Sequence, residues 1–332
     1  IVPDQNVWPG DTDNNGHVNH FDLLPIGIGF GAAGPQRPNA TIDWVGQYAE
    51  DWSQYTPSSV INYKHIDTNG DGAIGANDTL AVSQNWGLSV NPFLPDAPVF
   101  EPRVLGAPLY VVADTLAPSE VAVLDIVLGT NDLPAENVYG IAFSITYNPE
   151  LIVPGSVSAS FLNSWLGQQN SDLISLFRVS PTQDRIDIAI SRTDGLNNSG
   201  NGAIGKLHIT IEDVIFRNNA FRRAEFNIEN VRLIDRDELE IPVAPELTTS
   251  WVSVSTGTEN PELAENIRIY PTPASEDLFL TATGIQVHSV QVLDQYGRSV
   301  ANFDQPNNRM NIRQLPAGLY VARVTTDQIG RA

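Results

Sequence analysis

The sequence predicts a mostly β, multidomain protein with one small helical module near its start. Three observations predict it. An oxygen-rich loop of twelve residues occurs twice before residue 80, each copy followed by an apolar stretch at near-helical spacing. From 103 to 258, short alternating or apolar runs recur between turn residues at regular intervals, the pattern of a β-sandwich. From 259 to 332 a shorter series of strand-like runs follows with turns of its own. The expected divisions are a module at 1–92, a proline-rich linker at 93–102, a sandwich at 103–258 and a last domain at 259–332.

The first module rests on Asp11-Thr-Asp-Asn-Asn-Gly16-His-Val-Asn-His-Phe-Asp22 and its echo Asp67-Thr-Asn-Gly-Asp-Gly72-Ala-Ile-Gly-Ala-Asn-Asp78. A hard cation such as calcium wants six or more oxygens, so the chain must curl tightly around it, and glycine at loop position 6 makes that turn cheaply. Two calcium sites are expected. In the first, the side chains of Asp11, Asp13, Asn15, Asn19 and Asp22 and the carbonyl of His17 are the candidate ligands. In the second they are Asp67, Asn69, Asp71 and Asp78, with the carbonyl of Ala73. The alternative is a pair of Asx-rich surface turns. The β-branched residues at position 8, Val18 and Ile74, are expected to tie the loops together as a short strand pair. Helices are expected near Phe21 to Phe30, with Pro25 early enough to be tolerated, and from about Ala76 to Trp86, with Gly87 as the C′ residue. Between them, Trp44, Tyr48, Trp52, Tyr55 and Tyr63 are either the packing of a small core without disulfides or a sugar platform.

Composition narrows the function. The chain of 332 residues has no cysteine, which excludes disulfides and thiolate metal sites. Its net charge of −21 would repel nucleic acid and suits an extracellular, calcium-rich setting. The charge is uneven: residues 1–100 hold eleven acids and two bases, residues 259–332 eight acids and six bases, which favours separate modules. No apolar run is long enough to span a membrane, and Ile1 reads as a processed start.

Three resemblances follow from these residues. Gly10-Asp-x-Asp-x-Asn-Gly-x-Val-Asn-x-x-Asp-Leu-Leu24 and the matching run from Asp67 to Leu80 resemble the duplicated calcium module of dockerins, although both loops end in Asp. That resemblance implies partner contacts at loop positions 10 and 11, here His20-Phe21 and Ala76-Asn77, which depart from the Ser-Thr type of the cellulosomal pair. Gly140-Ile-Ala-Phe-Ser-Ile-Thr-Tyr-Asn-Pro-Glu-Leu151 followed by Gly200-Asn-Gly-Ala-Ile-Gly-Lys-Leu-His-Ile209 resembles a cohesin, the dockerin-binding jelly roll. Finally, Tyr270-Pro-Thr-Pro-Ala-Ser275, Asp294-Gln-Tyr-Gly-Arg298 and Leu315-Pro-Ala-Gly-Leu-Tyr320 closely resemble the small Ig-like sorting domain of the Bacteroidetes type IX secretion system. This implies export to the extracellular or outer-membrane surface and recognition of 259–332 by the type IX machinery. The same origin implies O-glycosylation at Asp-Thr-aliphatic sites, here Thr79 and Thr115.

No nucleophile motif or phosphate loop is present, so no enzyme activity is expected. Asp184, Asp187 and Asp194 are read as a solvated acidic face in preference to a glycosidase pair. The expected function is that of a secreted or surface-attached structural protein. The dockerin-like head of one copy, or of a cohesin- or dockerin-bearing partner, would engage a sandwich in a calcium-dependent contact that grows into filaments if it does not close. A stalk in which the head docks on its own sandwich, a surface adhesin that binds polysaccharide through the Trp44 and Trp52 region or the sandwich face, and an accessory region of a larger secreted enzyme are the alternatives.

Overall fold

The computed structural model describes residues 6–90, 106–113, 116–212, 223–252 and 267–326, the last range without 272, 275, 283, 285, 295–297 and 305–308. The linker at 93–102, Thr115 and the turn at Gly297 lie outside the described residues. By its contacts the chain forms two units, Ile1–Val254 and Ser255–Ala332.

The first unit opens with β1 (Asn6–Val7), which pairs with β2 (Gln47–Tyr48). Each oxygen-rich loop closes in one 3-10 turn, His20–Asp22 or Ala76–Asp78, and runs on into a short helix, α1 (Leu23–Gly29) or α2 (Thr79–Gln84). Asn19 starts the first turn by accepting from the Phe21 N–H, while Asp22 accepts from the Asn19 N–H. Pro25 sits in the first turn of α1, where an N–H has no helical partner to lose. Val18 and Ile74 do not pair with each other. Val18 bonds to the backbone of Gly87 and Leu88, and Ile74 to that of Gly31 and Ala32. Each loop is therefore strapped to the segment that follows the other loop's helix, which interlocks the halves.

The sandwich contains β3 (Ala107–Val112), β4 (Val121–Leu128), β5 (Ala135–Val138), β6 (Gly140–Tyr147), β7 (Ser158–Ser160), β8 (Leu173–Val179), β9 (Arg185–Arg192), β10 (Asn198–Gly200), β11 (Gly202–Thr210), β12 (Arg223–Ile234), β13 (Val243–Pro245) and β14 (Thr248–Trp251). Its two main sheets run in the order β13-β3-β4-β11-β7 and β14-β12-β6-β9-β8. Ile141, Phe143 and Ile145 of β6 and Ile186, Ile188 and Ile190 of β9 fill the space between them. Strand β8 escapes the sequence pattern because its buried residues, Leu173 and Leu176, are three apart and do not alternate.

The outer face of β6 and β9 is buried as well. Ala142, Ser144, Asp187, Ala189 and Ser191 are all shielded from solvent. The head covers them: Leu23, Leu24, Ile26 and Ile28 share one apolar cluster with Tyr139, Ala142, Leu176, Ala189 and Ile234. The head and the sandwich, expected as separate modules, are thus joined by a common core. Small residues permit the approach. A Cβ on Gly27 would lie 2.0 Å from Ser191 Oγ and 2.7 Å from the Arg192 carbonyl oxygen. Each of the four buried aliphatic side chains of α1 contributes on the order of 2 kcal/mol.

The second unit holds β15 (Ile267–Tyr270), β16 (Asp277–Ala282), β17 (Val287–Leu293), β18 (Ser299–Asp304), β19 (Arg309–Asn311) and β20 (Val321–Thr326). They form two sheets, β15-β16-β19 and β18-β17-β20, around Leu280, Val290 and Met310. Strand β20, entered from Pro316-Ala-Gly318, lies at a sheet edge.

Candidate metal centres

In the first loop one carboxylate oxygen each from Asp11, Asp13 and Asp22 lies within 4.8 Å of the others. Backbone N–H groups hold them there. Asp11 accepts from Asn15 and Gly16 at 2.9 and 3.0 Å, and Asp22 accepts from Thr12 and Asn19 at 2.7 and 2.8 Å. Asn15 Oδ1 accepts from the His17 N–H at 2.8 Å. Gly16 takes φ +90°, the left-handed turn that position 6 demands.

The second loop repeats this network nearly bond for bond. Asp78 accepts from Thr68 and Gly75 at 2.7 and 2.8 Å, Asp67 from Gly72 at 3.1 Å, and Asp71 from Ala73 at 2.9 Å. Gly72 stands at φ +83°. One pair of bonds was not read from the sequence. The hydroxyls of Thr12 and Thr68, both at position 2, donate to the carbonyls of Asp22 and Asp78 at 2.6 and 2.7 Å and close each loop at its neck. The signal was there, since threonine occupies position 2 in both copies.

The acids are crowded, and Asp11, Asp22, Asp67 and Asp78 are buried while Asp13 is half-buried and Asp71 exposed. Burial, and then the charge of Asp13, pushes the Asp11 carboxyl up to about 7. Burial raises Asp13 to about 6, with Arg232 pulling the other way, and holds Asp22 well above the usual carboxylate range with Asp13 and Asp11 adding to the effect. Asp67 is pushed up to about 6 by burial and by Asp78, and burial raises Asp78 too. Asp67 Oδ1 is buried with no hydrogen-bond partner. A buried carboxylate oxygen left unpaired among other acids is costly unless a cation sits beside it, so this donor set fits a hard divalent ion. Arg37, itself buried, braces the second loop through the carbonyls of Asp67 and Thr68 at 3.1 and 2.7 Å.

The remaining candidates separate. Asn19 turns its side-chain oxygen to the Phe21 N–H. His20 is buried, with its ring 4.2 Å from that of Phe21 and 6.3 Å from that of Trp86, while Phe21 is half-buried. Ala76 and Asn77 are exposed. Thr79 is half-buried and donates to the Ala76 carbonyl. Trp52 is only 3% exposed and cannot serve as a sugar platform, because the backbone of Gly34 lies against its ring. Trp44 is half-buried beside Trp8. Asp187 is not part of a solvated face. It is buried under the head, bonded to Ser144 at 2.7 Å and paired with Arg185 at 3.1 Å. Asp194 pairs with Arg192.

Residues 268–330 match the family model of the secretion system C-terminal sorting domain. This tail marks the protein for export by type IX secretion to the extracellular or cell-surface side. None of the curated proteins matches the chain. Among solved structures it is similar to a chain of a type I cohesin–dockerin complex from Clostridium thermocellum, at 12% identity over 46% of this chain and 99% of the other, with a TM-score of 0.38. It is also similar to a non-cellulosomal cohesin from Archaeoglobus fulgidus, at 12% identity over 46% and 94%, with a TM-score of 0.34. A third is the seventh type I cohesin of ScaB from Pseudobacteroides cellulosolvens, at 11% identity over 47% and 96%, with a TM-score of 0.36. The sandwich is defined by its own two five-stranded sheets.

Proposed function

We propose that this is an exported, non-enzymatic structural protein in which a dockerin-like head, set by two calcium ions, is seated on a cohesin-like sandwich of the same chain. The observation that carries this reading is the common core of α1 with the outer face of β6, β8 and β9. Polar contacts support the seat at its margins. Tyr139 donates to the Gly27 carbonyl at 3.0 Å, Arg178 to the Ser83 carbonyl at 3.0 Å, and Glu238 accepts from the Ser58 and Ser59 N–H groups at 2.9 and 3.0 Å. Calcium neutralises the clustered acids, fixes both loops and thereby sets the angle of α1 on the sheet. In this reading the first unit is a stiff stalk and the tail delivers it to the cell surface.

A filament remains open to the same chemistry. The seat is filled within one chain, so a polymer requires exchange, with the head of one copy on the sandwich of the next. Light scattering with negative-stain microscopy on the full chain tests both forms. Single-chain particles in millimolar calcium support the stalk. Long particles in calcium that fall to one chain in EGTA support exchange. Melting and helical circular dichroism that ignore EGTA would sink the calcium-set head in either form.

A further inference from the structure

We propose that the cleft between the head and the sandwich binds a neutral sugar unit of an extracellular glycan, an inference that rests on the head being seated as described. The cleft encloses about 400 Å³, within the range of small-ligand sites. Its floor is the outer face of β12, β6 and β9, where Ser144 and Asp187 are bonded to each other beside Arg185. Strand β12 shifts register there between Glu229 and Arg232, and Asn230 at the bulge takes φ +51° and lines the cleft. Bulges of this kind re-aim side chains next to binding sites. The head supplies the opposite wall with the part-exposed rings of Phe21 and Trp86.

Most charged groups of the cleft are already engaged within the protein. Arg185 pairs with Asp187, Arg232 with Glu240 at 3.5 Å, and Glu238 is held by Ser58 and Ser59. Asp13 belongs to the first loop. Arg232 Nε is buried without a hydrogen-bond partner and can donate to a ligand hydroxyl. The cleft thus sets aromatic surface opposite the Asn230 amide and polar groups that are mostly held within the protein. A pyranose has that duality, with C–H faces that lie on rings and hydroxyls that bond to amides and paired carboxylates. Export places the cleft where glycans are met.

The test is calorimetric titration of the full chain in millimolar calcium with cellohexaose, xylohexaose, mannohexaose and chitohexaose. Two variants report on the cleft. Asn230→Gly keeps the left-handed backbone and removes the amide, and Phe21→Leu keeps an apolar side chain and removes the ring. Binding of at least one oligosaccharide, weakened about tenfold by each variant while the melting temperature holds, is the expected result. Trp44→Leu, outside the cleft, should leave affinity unchanged. Failure of all four sugars to bind overturns the proposal, as does a loss that follows Trp44 instead of Asn230 and Phe21. If calcium raises the melting temperature but no sugar binds, the cleft proposal fails alone and the seated head stands. If calcium leaves the melting temperature unmoved while Asn230-dependent binding persists, the calcium-set head fails and the cleft stands.

Discussion

The two halves of the head share one loop and differ in the helix that follows it. Position by position, Thr12 matches Thr68, Gly16 matches Gly72, and Asp22 matches Asp78, with the same hydrogen bonds at each. The helices diverge. Leu-Leu-Pro-Ile-Gly-Ile-Gly in α1 is buried throughout, whereas Thr-Leu-Ala-Val-Ser-Gln in α2 buries Ala81 and Val82 and exposes Leu80, Ser83 and Gln84. Each loop is closed by hydrogen bonds within its own twelve residues, so the two copies agree. A helix face answers to what covers it. The first half is adapted to a sheet and the second mostly to water.

Removing calcium should produce the largest effect. If both loops hold an ion, EGTA costs the first unit about 3 kcal/mol per site at a calcium concentration roughly 100 times Kd. Because α1 shares its core with β6 and β9, the loss should appear in the sandwich strands as well as in the helices. Hydrogen exchange read on both would show it, and protection confined to the sandwich and unchanged by EGTA would separate the two regions again.

The comparison can be broken directly at equivalent helical positions, Gly27 and Ser83. Gly27→Ala drives a methyl into Ser191 and the Arg192 carbonyl and should cost about 1–3 kcal/mol by overpacking. Ser83→Ala, on the exposed face of α2, should stay within about 0.5 kcal/mol. Chemical denaturation measures both. Equal effects would mean that α1 is not held as described.

Acid titration sharpens the same contrast. The carboxyls of Asp11 and Asp67 are raised in the folded state, to about 7 and about 6, from an ordinary value of 3.8. Below about pH 4 they are protonated in both states and contribute no difference. From about pH 4 to 7 for Asp11, and to 6 for Asp67, the folded state holds more protons, so without metal stability falls as pH rises through that range. Calcium should flatten or reverse that slope, because it displaces those protons. Melting temperatures at pH 5 and 7.5, with calcium and with EGTA, give four numbers that decide it. Asp11→Asn and Asp67→Asn should each remove part of the slope seen in EGTA.

The smallest effects belong to the margins of the seat. Tyr139→Phe removes the hydroxyl donated to Gly27 and should cost about 1 kcal/mol. Arg178→Ala removes a guanidinium 5.3 Å above the Trp86 ring and should cost about 0.5–1 kcal/mol. Urea unfolding resolves the first, and a double-mutant cycle with Trp86→Leu the second.

The loops were legible because their chemistry is local. Glycine at position 6, acids at positions 1 and 12 and an apolar residue at position 8 are demands that a curled backbone makes on its own residues. The strands lining the sandwich interior were legible by alternation, and the tail by its three turn motifs and strand entries. Other features needed the folded chain. Val18 and Ile74 met partners from the opposite half, and nothing in twelve residues says which β-like neighbour will be nearest. Trp52 is a core residue because Gly34, eighteen positions away, lies on its ring.

One signal of the seat was already written in β6 and β9. Gly140-Ile-Ala-Phe-Ser-Ile carries small or apolar residues on both faces, as strands do when both sides are covered, and Ile186-Asp-Ile-Ala-Ile does so apart from Asp187. The sequence by itself determined that these strands would line a sandwich core and that an apolar helix would follow the first loop. Only the tertiary structure decided that each covers the other. Burial is roughly proportional to apolar area and has no direction, so composition says how much surface must be hidden, while the fit of Gly27 against Ser191 says where.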